Sequence, residues 1–95
     1  MYLNTTEIKS LLKKWHYYKT FTLNSEENEL SKKICSIENA INALDNVSQS
    51  IIRMKYFEGY EMESIAELVY MSRSGTYYRL NSACKEMAYI INNTA

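Results

Sequence analysis

The residues best equipped for chemistry lie between Ser72 and Lys85. Ser72, Arg73, Ser74, Tyr77, Tyr78, Arg79, Ser82 and Lys85 supply cationic, hydroxyl and aromatic groups within one short stretch. Guanidinium and ammonium groups donate to phosphate oxygens, and Arg can donate two bonds to a guanine edge. Hydroxyls serve either purpose. Other chemistry finds little support in the sequence. Cys35 and Cys84 are far apart, with no CxxC pattern and no nearby His, so they read as small buried thiols and no metal site is expected. His16 stands alone between Trp15 and Tyr17 and reads as structural. No Ser-His-Asp order, paired carboxylates or phosphate-binding glycine loop emerges, so neither catalysis nor a cofactor is expected.

The sign of the charge varies along the chain. Its total is zero, from 11 Lys+Arg and 11 Asp+Glu, which gives no bulk attraction for nucleic acid or an anionic membrane. Between Ser72 and Lys85, however, lie Arg73, Arg79 and Lys85 with no acid, and from Glu58 to Glu67 lie four acids with no base. A chain of 95 residues with 2 glycines and no proline favours helices joined by short polar turns. It is long enough for one modest core, leaving little for a deep catalytic pocket as well. Neither a signal-type leader nor an apolar run of spanning length is expected, which points to a cytoplasmic chain without membrane association.

Five helices follow from the pattern. The first begins after Asn4, with Asn4-Thr5-Thr6-Glu7 as a capping box, and carries Ile8, Leu11, Leu12, Trp15, Tyr18 and Phe21 on one face to about Thr22. Lys9, Lys13, Lys14 and Lys19 form its solvated face, or a second phosphate-contacting patch. Asn24-Ser25-Glu26-Glu27 caps the second, whose Leu30, Ile34, Ile37, Ile41 and Leu44 make a short heptad seam. That seam packs on the first helix as an antiparallel hairpin or against a second copy. Residues 1–45 thus read as an N-terminal helical hairpin, with the boundary at Asp45-Asn46.

Residues 46–95 read as a tri-helical helix-turn-helix domain. A helix from Ser48 to Phe57 stops at Gly59, a short helix runs from Met62 to Tyr70, and a turn at Met71 and Ser72 opens the last helix, ending near Asn92. Ala66 is small where two helices meet, and Met71 plugs the turn. Thr76, Leu80, Ala83 and Met87 mark the core face of the last helix, with Tyr77, Cys84 and Ile91 beside them. Its other face presents Arg73, Ser74, Tyr78, Ser82 and Lys85, flanked by Arg79 and Asn81. In this geometry the first turns meet base edges, which assigns that role to Arg73, Ser74, Tyr77 and Tyr78 and phosphate contact to Arg79 and Lys85. The nine tyrosines are otherwise expected at the edge of the core.

The run from Leu44 to Met87 resembles the region 4 helix-turn-helix of sigma-70-type factors, and in particular small phage regulators of the ArpU and RinA type. The resemblance rests on Tyr56-Phe57-Glu58-Gly59, Ile65-Ala66-Glu67-Leu68, Met71-Ser72, and Arg79-Leu80 with Ala83. Leu11-Leu12, Trp15, Tyr17 and Tyr18 are similar to the helical N-terminal part of those phage proteins. It implies sequence-specific binding of double-stranded DNA in control of phage late genes, such as packaging or lysis genes. The chain departs from the family at Gly75 and Thr76, where Thr and an aliphatic residue are usual. Gly75 then sits in the first turn, admits the DNA backbone closely, or weakens the module. Zero net charge favours one alternative, a sigma-like accessory that binds RNA polymerase, and the use of helix-turn-helix modules by small terminase proteins leaves open another, a small DNA-packaging subunit. The heptad seam suggests a homodimer on a palindromic site.

Overall fold

The chain opens with a helix because Asn4 accepts the backbone N–H of Glu7 at 2.8 Å, capping α1 (Thr5–Lys13) as the sequence predicts. In this computed structural model, which describes residues 2–23 and 29–93, the expected first helix is two helices. Lys14 leaves helical geometry, with φ −113° and ψ 29°, and α2 (Trp15–Leu23) begins immediately after it. The break has a packing cause. It lets Ile8 and Leu12 enter the core beside the last helix while Trp15 turns to stack on Phe57, ring centroids 5.1 Å apart. The predicted cap at Asn24 to Glu27 and the side chain of Phe21 lie outside the described residues.

The third helix, α3 (Glu29–Ala43), buries Ile34, Ile37 and Ile41, and Leu44 just beyond it is also buried. The seam is therefore consumed within the chain's own core, packed on α2 and the last helix. Cys35 falls on the outer face and is exposed, a correction to the expectation of two buried thiols; Cys84 alone is buried. Asp45 then caps α4 (Asn46–Ile52) by accepting the Ser48 N–H at 2.8 Å. Gln49 reaches back to donate to the Leu44 carbonyl at 2.8 Å, satisfying the end of α3.

Beyond Ile52 the expected straight helix becomes a π-helical turn over Arg53–Phe57, closed by Glu58 N–H on the Arg53 carbonyl at 2.9 Å. Gly59, at φ 77°, ends it as predicted. The short helix α5 (Met62–Leu68) stops before the anticipated Tyr70, and α6 (Arg73–Asn92) runs to the predicted Asn92. Among the described residues, six α-helices and a π turn thus replace the five predicted helices, and no strand occurs.

The hub is α6, which touches α1, α3, α4 and α5. One apolar cluster includes Leu3, Ile8, Ile37, Ile51, Ile65 and Met87, so both sides of the Asp45-Asn46 break share a core. Each such side chain contributes about 1.5–3 kcal/mol by leaving water. A reciprocal clamp fixes the far end of α6: Leu3 N–H donates to Asn92 Oδ1 at 2.7 Å, and Asn92 Nδ2 donates to the Leu3 carbonyl at 2.9 Å. No helix among the described residues is long and apolar enough to cross a membrane.

Candidate nucleic-acid interface

The start of α6 is set by local chemistry. Ser72 Oγ accepts the Gly75 N–H at 3.0 Å, and Thr76 Oγ1 donates to the Ser72 carbonyl at 2.8 Å. A Cβ on Gly75 would lie 2.9 Å from Ser72 Oγ. Gly75 therefore sits in the first turn, where its bare α-carbon makes room for the cap.

From this start the predicted division of faces holds. Thr76, Leu80, Ala83, Cys84, Met87 and Ile91 are buried. Arg73, Ser74 and Tyr78 are exposed, with Tyr78 at 75%. Tyr77, expected beside the core face, is instead exposed at 41%, and the Arg73 guanidinium lies 6.0 Å from its ring centroid. That contact sets the Arg73 cation beside the Tyr77 ring, on the exposed face of the helix. Further along, Ser82 is half-buried and Lys85 exposed.

Arg79 is placed differently from its neighbours. Its Nη1 lies 3.3 Å from Asp45 Oδ2, joining α6 to the cap of α4. The Ser48 backbone N–H holds the Asp45 carboxyl below its ordinary value of 3.8, with Arg79 adding to the effect. Nearby, Asn81 accepts from Lys9 Nζ at 2.7 Å, so one lysine of α1 braces the flank of α6.

The acidic stretch is also on the surface: Glu58, Glu61, Glu63 and Glu67 are all exposed. Opposite signs thus occupy adjoining elements. Most tyrosines depart from the core-edge expectation, with Tyr2, Tyr17, Tyr70, Tyr78 and Tyr89 largely in solvent. Tyr56 conforms, and burial, with Cys84 nearby, pushes its hydroxyl up to about 12. Burial likewise pushes the Cys84 thiol up, which makes it a poor nucleophile. His16 bonds the Phe57 carbonyl through Nε2 at 3.1 Å, tying α2 to the π turn. No group of three His, Cys, Asp or Glu able to hold a metal occurs among the described residues.

Residues 18–88 match a family described as a protein of unknown function, DUF1492. The chain belongs to the DUF1492 family. The matched stretch contains α3 to α5, most of α6 and all the candidate side chains, while α1 and the Asn92 clamp fall outside it. No curated protein and no solved structure matches this DUF1492 chain.

Two features of the DUF1492 chain escaped the sequence reading. The π turn has no compositional signature, because Arg53 to Phe57 suit an ordinary helix. Tyr70, at φ 57°, occupies the left-handed conformation usually left to glycine or asparagine. Only the end of the α5 apolar pattern hinted at a turn there.

Proposed function

We propose that this DUF1492 chain is a sequence-specific, duplex-DNA-binding regulator of transcription whose recognition helix is α6. The observation that carries the reading is the exposure of Arg73, Ser74 and Tyr78 over the first turns of a helix whose other face is core. A helix anchored in this way can enter a major groove without losing its packing. Arg73 and Tyr78, with Ser74 beside them, meet base edges, and Lys85 meets phosphate. Ser72 fixes the helix start, and Tyr77 supports Arg73. Arg79 reaches phosphate only by exchanging Asp45 for it, and half-buried Ser82 lines the flank. The resemblance to sigma-70 region 4 and to the ArpU and RinA type supports a phage or prophage late-gene role. Zero net charge implies weak non-specific affinity. A homodimer would raise the affinity by spanning two half-sites, and with the heptad seam buried the second copy must use another face.

The test is selection from a random duplex library at low salt, followed by fluorescence anisotropy on the selected sequence. Arg73→Ala should lower affinity for that sequence by about 1–3 kcal/mol while relaxing selectivity at one position. If no sequence is enriched, the specific-binder reading fails. The exposed glutamates around α5 favour a second reading, in which the chain docks on a basic face of RNA polymerase. Retention of polymerase by a chain with no duplex affinity would support it.

A further inference from the structure

We infer that Tyr70 is a phosphate-contacting residue at the rim of the recognition groove; the inference rests on the duplex-binding reading above. Tyr70 stands in the left-handed region at φ 57° with 95% of its surface in solvent. The turn explains the backbone conformation. Tyr70 N–H bonds the Glu67 carbonyl at 3.3 Å and Met71 N–H bonds the Ala66 carbonyl at 3.0 Å, closing α5 through backbone groups alone. Asparagine or glycine would serve that closure with less strain.

Folding therefore gives no reason for a tyrosine here. Met71, the next residue, is half-buried, and its Cε lies close to Gly75, so it fills the inside of the turn. The Tyr70 ring is left outside. A costly conformation carrying a large side chain that packs on nothing is the kind of outlier that points to a role beyond the fold.

Geometry suggests that role. When the first turns of α6 enter a groove, the turn before Ser72 lies at the groove edge, beside a phosphate strand. A tyrosine there lays its ring along the sugar and donates its hydroxyl to a phosphate oxygen. Such a contact is neutral, so it releases no counterion, and it carries no sequence information.

The test uses the full chain, the duplex selected by it and a scrambled duplex of equal length. Tyr70→Asn keeps a residue suited to the left-handed region and should hold or raise the Tm. Its affinity should fall about three- to tenfold on both duplexes, the loss of one neutral hydrogen bond, with an unchanged salt slope. Tyr70→Phe, which lacks only the hydroxyl, should show most of that loss. A lowered Tm for Tyr70→Asn would mean that the ring packs and would overturn the inference. So would a loss confined to the selected duplex, which would make the ring a base reader, or an unchanged affinity, which would leave it to a protein partner. Arg73→Ala separates the two levels: if it weakens selective binding while Tyr70→Asn does not, the inference fails and the duplex-binding reading stands. No affinity of the unaltered chain for any duplex sinks both.

Discussion

The buried side chains from Leu80 to Ile91 join the shared apolar cluster and Asn92 closes the Leu3 clamp, whereas Arg73, Ser74 and Tyr78, earlier on the same helix, are turned to solvent. The two halves share a backbone ladder but differ in what their side chains touch. Rigidity enters at the C-terminal half and is spent at the N-terminal half, where outward groups gain a fixed frame without having to pack. A recognition helix needs this asymmetry, because side chains that hold the fold cannot also be free for a ligand.

The largest break in this comparison should come from the buried half. Met87 is fully buried in the cluster that joins the helices. Met87→Ala removes its contacts and leaves a void, so urea unfolding should show a loss of about 2–5 kcal/mol. A loss below about 1 kcal/mol would mean that the core around α6 collapses easily and that the frame is less rigid than the packing indicates.

A smaller effect is expected at the other end. Ser72→Ala removes the acceptor for the Gly75 N–H and should cost about 1 kcal/mol of stability. Thermal unfolding would register it as a modest fall in Tm. The variant should also loosen the first turn of α6, where Arg73 and Ser74 sit. If the Tm falls while hydrogen exchange in the first turn is unchanged, the cap acts on the whole chain, and the proposed independence of the exposed half is wrong.

How much of this was legible depends on what each feature is made of. The buried face of α6, the caps at Asn4 and Ser72 and the stop at Gly59 follow from residue type and spacing, which are properties of the sequence. The division of the first helix at Lys14 does not, because Ile8, Leu12 and Trp15 share one helical face and only the position of Phe57 requires a break. The π turn is hidden for the same reason. At the candidate interface, the outward direction of Arg73, Ser74 and Tyr78 could be read from periodicity. The capture of Arg79 by Asp45 could not, since those residues are distant in sequence and meet only when α4 packs on α6.

That ion pair supplies the smallest and most specific test. Asp45 has a lowered carboxyl value because the Ser48 N–H, and to a lesser extent Arg79, favour its charged form. Below the unfolded value, folding must hold off a proton that the unfolded chain binds, so stability should fall as pH drops through the region just under 3.8. Above it, the contribution is fully present and flat. Asp45→Asn retains a good cap but cannot titrate, so its stability profile from about pH 2 to 4 should be shallower than that of the unaltered chain. An identical profile would show that Asp45 is not linked to folding. The same substitution also releases the Arg79 guanidinium. If α6 binds duplex as proposed, Arg79 then becomes available to a phosphate, and the slope of log affinity against log salt should steepen by about 0.9. A slope unchanged by Asp45→Asn would leave Arg79 on the structural side of the helix, moving the division between its two halves one turn closer to Ser72.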